Sequence, residues 1–276
     1  MGYLEAIFLG VLQGLTEFLP ISSSAHLAIF PQLFGLEDPG ASFTAVTQIG
    51  TELAVLLFFW RDIVQILKAW SASLFDKSRR SDLDARMGWY VIIGTLPIAI
   101  AGVAFQSTIK STFRSLWLIA IMLIVFGLIL GFADRINKGL KTEADLNVKD
   151  SILYGLGQML ALIPGVSRSG ATISVGLFRG YRRDVATRYA FLLAIPAVLA
   201  SGIFELKDVS LSDSPGLPKT VLATVIAFAV GYATIGWLLK YLRSNSYLPF
   251  VIYRIALGTL VLVLLATGVL HSMIGA

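Results

Sequence analysis

The chain has 276 residues, 56% of them hydrophobic and only 14% charged, and its mean hydropathy is +0.79. A water-soluble domain carries roughly 25% charged residues, so these values exclude one and require a polytopic membrane protein. The net charge of +5 belongs to membrane-flanking loops rather than to a nucleic-acid surface, and the absence of cysteine excludes disulfides and thiol chemistry.

Tyr3 to Leu19 reads as an apolar helix that Pro20 stops, because proline cannot continue the ladder and turns the preceding residue away from helix. Ser22, Ser23 and Ser24 then offer a cap for a second short helix, Ala25 to Phe34. Neither piece is comfortable as a full span, so the two are expected to form a broken, re-entrant pair. Irregular backbone at that depth is tolerated only when buried in protein or lining a wet cavity. No cleaved signal peptide is expected, since its first region should be basic and the first Lys or Arg is Arg61. Six fuller spans follow: Phe43 to Trp60, Trp89 to Phe105, Leu116 to Phe132, Val185 to Phe204, Thr220 to Leu239 and Phe250 to Leu270. Between the third and fourth, Ser151 to Ile163 and Ala171 to Phe178 are too short to span, and they make a second broken pair around Pro164 to Thr172.

If both broken pairs return to the side they entered, sixteen of the 22 Lys and Arg residues fall on one side, in the loops 61–88, 133–150, 179–188 and 240–249. Four fall on the other side, and Arg168 and Arg254 lie within hydrophobic regions. The positive-inside rule makes the basic side cytoplasmic. The expected architecture is therefore one integral membrane domain, all-α. It is an inverted-topology repeat of residues 1–132 and 151–270, with six full transmembrane helices and two re-entrant pairs. Such repeats place their broken segments at a midplane site.

Both breaks are polar. An ionisable residue at membrane depth costs about 2.5 to 3.5 kcal/mol on insertion scales and by default marks function. Gln13 and Glu17 are four apart and share a helix face. They suit a hard divalent cation, Mg2+ or Ca2+, and Glu17 could equally act as a general base. His26 could shuttle a proton or attack. Ser22, Ser23 and Ser24 supply a nucleophile, phosphate contacts or merely a cap. In the second break, Gly165 and Gly170 permit close backbone approach, and the turn opens a helix whose first amides attract anions. Arg168 adds a planar fork matched to phosphate, and Ser167, Ser169 and Thr172 add hydroxyls. The whole reads as a phosphate cradle, with an Arg168–Glu17 brace as the bland alternative that would still bring the breaks together. Gln48, Thr51 and Glu52 line or brace the same cavity. Arg254 is expected to snorkel to the cytoplasmic interface, Gly127 and Gly131 to pack helices, and Trp60, Trp89 and Trp117 to anchor at interfaces.

The two motifs, Gln13 through Glu17 to Ser23 and His26, and Pro164 through Gly170, resemble the undecaprenyl pyrophosphate phosphatase family, also called the bacitracin-resistance family. With chain length and hydropathy, the resemblance covers nearly the whole sequence. It implies an integral phosphatase of the bacterial inner membrane that removes the terminal phosphate of a polyprenyl diphosphate, recycling the lipid carrier for cell-wall synthesis. It also implies a divalent cation and a site open to the periplasmic side. Many members carry Glu where this chain has Gln13, which leaves open whether position 13 is a metal ligand or a hydrogen-bonding partner. Partners are then the lipid substrate and membrane lipids, with no nucleic acid and with a homodimer left open. The competing expectation from another class is a polyprenyl-phosphate flippase or other secondary transporter, for which inverted repeats are the usual build.

Overall fold

The computed structural model describes residues 1–36, 40–105, 115–205 and 216–272. It is all-α. In chain order the helices are α1 (Tyr3–Phe18), α2 (Ser23–Leu33), α3 (Ala41–Phe58), α4 (Trp60–Phe75), α5 (Leu83–Ala104), α6 (Leu116–Ile136), α7 (Val148–Met159), α8 (Arg168–Phe178), α9 (Arg183–Glu205), α10 (Leu217–Tyr241) and α11 (Leu248–Ala266). Five of them, α5, α6, α9, α10 and α11, are each long and apolar enough to cross a membrane, and α3 with α4 makes a sixth as a bent pair. The protein is a multi-pass membrane protein.

Local chemistry sets the boundaries. Ser22 and Ser167 cap α2 and α8 by accepting from the amides of Ala25 at 3.4 Å and Gly170 at 3.2 Å. Asn147 caps α7, accepting from the Asp150 amide at 3.0 Å, and Pro218 and Pro249 stand in the first turns of α10 and α11. The broken pairs fall where expected. α2 and α8 have 11 residues each, about 16 Å of helix against a hydrocarbon core of about 30 Å, so neither can span.

One expected loop is wrong. Residues 61–75 are helix α4, bent 66° from α3, followed by a 3-10 turn, Lys77–Ser81, and α5 already begins at Leu83. Arg61, Asp62 and Lys68 depress the hydropathy there. Ile63 and Ile66 nevertheless pack on the core on one face, the amphipathic spacing that a hydropathy window averages away. The boundaries of α2 and α8 also begin earlier than expected, at the residue after each capping serine.

Helix packing follows a regular scheme. α1 packs on α10 as α7 packs on α5, α3 on α10 as α9 on α5, and α1 on α2 as α7 on α8, while α6 lies along α11. The match extends to single positions 145 residues apart. A Cβ on Gly10 would meet the Ala223 carbonyl of α10 at 2.6 Å, and one on Gly155 would meet the Gly94 carbonyl of α5 at 2.2 Å, so both glycines permit backbone contact. Gly131 and Gly127 of α6 sit against Val251 and Arg254 of α11, the helix-packing role expected of them. The loops assigned to the basic side are knitted by ion pairs: buried Asp150 with Arg179 at 2.5 Å, Asp134 with Arg183 at 2.5 Å, and Arg188 with both Asp62 and Glu143. Trp60, Trp89 and Trp117 are exposed on the outer surface, as anchors should be.

The orientation of the two halves has a direct test, helped by the lack of native cysteine. A cysteine at exposed Ser78 is expected to label only from the cytoplasm, and one at Asp38 only from outside. Asp38 lies outside the described residues, and His271, exposed on the same expected side, gives an equivalent position. Labelling of Ser78 and His271 from one side would contradict the inverted arrangement.

Candidate active site

The two breaks meet. Their register is 145 residues, so Ser22, Ser23 and Ser24 correspond to Ser167, Arg168 and Ser169. Pro20 corresponds to Gly165 rather than to Pro164. Ser22 and Ser167 are the only non-glycine residues with positive φ among those described, at 75° and 71°. L-residues reach this region at a cost and cluster there at functional sites. Each serine hydroxyl also pairs with the one two residues on: Ser22 with Ser24 at 3.1 Å and Ser167 with Ser169 at 3.2 Å. Gly165, at φ 90°, has room for no Cβ, which would come within 2.6 Å of the Ile119 carbonyl.

Glu17, on the last turn of α1, joins the halves. Its Oε2 accepts from Ser23 Oγ at 2.8 Å and from Gln13 Nε2 at 3.2 Å, and its Oε1 accepts from Arg168 Nη2 at 2.8 Å. The brace considered from the sequence is therefore present. It uses only part of the fork, because Nε and Nη1 of Arg168 have no protein partner among the described residues. Arg168 is 19% exposed and Glu17 11%, so the pair is reachable. A cavity of about 230 Å³ opens over it. Glu17, Ser22, Ser23, Ser24, Ser167 and Arg168 form its polar wall, with Gln48 and Ser201 beside them, and Ile98, Leu162, Ala197 and Val198 form an apolar one.

The other candidates stand behind this wall. Ser169 Oγ donates to the Leu19 carbonyl at 3.1 Å, tying one turn to the other, and the Gly170 amide caps onto Ser167. Thr172 donates to the Arg168 carbonyl at 2.8 Å. His26 is buried and outside the lining, stacked between Phe30 and Tyr253. Its Nδ1 is 2.7 Å from the Ser22 carbonyl and its Nε2 is 2.6 Å from Tyr253 Oη. A carbonyl only accepts, so Nδ1 carries hydrogen and donates to it, and Tyr253 donates to Nε2 of the neutral ring. His26 thus fixes the carbonyl of the strained serine. Glu52 is buried against Gly202 of α9 and does not line the cavity.

Arg254 overturns its expected role. It does not snorkel; it is fully buried. Nη1 donates to the Pro20 carbonyl at 3.0 Å, and Nη2 to those of Gly165 and Val166 at 2.9 and 3.0 Å. Nε and Nη2 also reach the Leu123 and Met122 carbonyls of α6. One guanidinium therefore clamps both breaks, binding the corresponding carbonyls of positions 20 and 165. Arg254 shares a helix face with buried Leu257, Gly258 and Val261, so it is aimed at the core. Replacing it strands several buried carbonyls at about 1–3 kcal/mol each. Arg254→Leu is thus expected to cost about 3 kcal/mol or more, read as a large fall in melting temperature.

No group of three or more His, Cys, Asp or Glu that could hold a metal exists among the described residues. The donor set still fits a cation shared with a ligand. Glu17 offers a carboxylate, and beside it Gln13, buried and outside the cavity lining, has an Oε1 with no hydrogen-bond partner.

The fold and this cluster describe a multi-pass membrane protein in which a carboxylate links a serine hydroxyl to an arginine fork between two helix breaks, a donor set suited to phosphate. The family model of the bacitracin resistance protein BacA matches residues 6–260, and the chain belongs to that family. The undecaprenyl-diphosphatase of Nocardioides sp. is 59% identical over 271 residues, covering 98% of this chain and 99% of its own. That of Renibacterium salmoninarum is 58% identical, covering 99% of each. That of Thermobifida fusca is 55% identical, covering 100% of this chain and 94% of its own.

Proposed function

We infer that the protein hydrolyses undecaprenyl diphosphate, or a related polyprenyl diphosphate, to the monophosphate and inorganic phosphate. This would recycle the lipid carrier of cell-wall synthesis and confer bacitracin resistance. The observation that carries the reading is Glu17, bonded at once to Ser23 and Arg168 over an open cavity. Family membership and the printed activity of relatives that match nearly end to end support it.

In the mechanism proposed, the unengaged donors of Arg168 and the hydroxyls of Ser22, Ser24 and Ser167 hold the diphosphate. The apolar wall of Ile98, Leu162, Ala197 and Val198 receives the start of the prenyl tail. Ser23 Oγ attacks the terminal phosphorus while its proton passes to Glu17 Oε2. The anhydride P–O bond breaks and the lipid monophosphate leaves with the bridging oxygen and that proton. Water then displaces Ser23 from phosphorus, giving its proton to Glu17 and regenerating the hydroxyl. Ser23 is preferred over His26 as nucleophile because its hydroxyl lies on the base and lines the cavity, whereas both ring nitrogens of His26 are committed elsewhere. A divalent cation, when bound, would be held by Glu17 and Gln13 and would supply charge neutralisation. The site faces the periplasmic side in the orientation proposed, which is that of an inverted repeat.

The test is phosphate release from a polyprenyl diphosphate by the purified protein, with and without chelator. Release is expected from the wild type, with loss on chelation and loss in Ser23→Ala. Transport of the lipid without any phosphate release would replace the hydrolase reading by the transporter one.

A further inference from the structure

A second cavity, of about 220 Å³, shares no lining residue with the first. It lies where the C-terminal ends of α6 and α10 meet the start of α9. Its wall carries Lys138, Arg182, Arg183 and Arg243, with Asn137 and one carboxylate, Asp184. Two of the cations are already neutralised: Arg182 pairs with Asp184 at 2.9 Å and Arg183 with Asp134 at 2.5 Å. Lys138 and Arg243 have no carboxylate partner among the described residues. The cavity therefore keeps two uncompensated positive charges, brought together from two separate loops.

The frame that holds them is built, not floppy. Across the gap, the Lys141 amide donates to the Gly180 carbonyl and the Arg182 amide to the Lys141 carbonyl, both at 3.0 Å. Asn137 Nδ2 donates to the Tyr181 carbonyl at 3.0 Å, while its Oδ1 accepts from the Gly139 amide at 2.9 Å. The Lys138 loop is thus pinned against the start of α9.

Depth is marked by aromatic residues. Trp237 and Tyr241 stack, with ring centroids 5.1 Å apart, in the last turns of α10 just before Arg243. Trp and Tyr gather at headgroup level. On α6, Ile136 directly precedes the cavity residue Asn137 and Phe132 lies about one turn further in, and both are exposed. A basic pocket between helix ends at that level is suited to lipid headgroups. We propose that this cavity binds the phosphate group of an anionic membrane lipid, in the leaflet facing the Lys- and Arg-rich loops. Its acyl chains would lie along Phe132 and Ile136. Free phosphate presents the same oxygens but has no chains to lay there.

The test uses the full-length purified protein in neutral detergent. Its melting temperature is followed on adding phosphatidylglycerol, phosphatidylcholine or inorganic phosphate. Phosphatidylglycerol is expected to raise it more than either other addition, and the excess should shrink with salt. The double variant Lys138→Gln with Arg243→Gln should lose that excess while releasing phosphate at the wild-type rate. The charge-retaining pair Lys138→Arg with Arg243→Lys should keep it. An undiminished excess in the neutral variant, or an equal rise with inorganic phosphate, would overturn the proposal.

Discussion

Glu17→Gln is expected to abolish most phosphate release while leaving the fold in place. The substitution keeps one acceptor: the amide oxygen can face Arg168, while the NH2 in the other position can donate to Ser23 Oγ. What disappears is the group that takes the proton from Ser23. Loss of a positioned general base costs on the order of 10²–10⁴-fold, about 3–5 kcal/mol of transition-state stabilisation. The pair opens onto the cavity, where Arg168 can be solvated once the Glu17 charge is gone, so the melting temperature should move less than the activity. The measurement is kcat/KM for phosphate release beside a melting curve. Activity retained within a few-fold would make Glu17 a brace only.

Arg168→Lys is expected to lose on the order of tenfold to a hundredfold in kcat/KM although the charge is kept. A guanidinium offers parallel donors in a fixed plane, while an ammonium is a point charge on a flexible stem. Each charge-assisted bond is worth roughly 1.5 to 3 kcal/mol, and about 1.4 kcal/mol is tenfold. Arg168→Ala should lose more, because substrate charge then stays unpaired. Arg168 is engaged through Nη2 alone, so most of the fork is free for phosphate, and the loss should fall on activity more than on stability.

The sequence made the site's three principal residues legible because each was a polar group that an apolar run does not tolerate without a use. Glu17, Ser23 and Arg168 stood out for that reason, and the structure brings them into one hydrogen-bonded cluster. Spacing and charge bias likewise made the six apolar segments and the two breaks readable. Helix α4 was hidden because its one-sided apolar pattern averages to a loop in a hydropathy window. Arg254 was misread for a different reason: near a helix end, a long cationic side chain can turn outward, and only its helix face decides. Leu257 and Val261, three and seven residues on, lie on that same face, and the spacing was there to be used. Gln48 was visible as a polar break, but Ser201 of α9, which also lines the cavity, was not. A single serine in an apolar helix more often bonds its own backbone. The register between the halves needed coordinates, because Ser23 and Arg168 occupy equivalent positions without any resemblance between their side chains.

The central claim is that the two breaks form one phosphate-handling site, in which Arg168 serves the substrate rather than merely bracing Glu17. The most direct measurement is a double-mutant cycle of Glu17→Ala and Arg168→Ala, scored for melting temperature and for phosphate release from a polyprenyl diphosphate. Coupling in such a cycle isolates the interaction between the two side chains. The expected result is near-normal melting in all three variants, with release lost in each. Melting that falls in either single variant and recovers in the double one would show that the pair exists to hold the protein together, and would contradict the assignment.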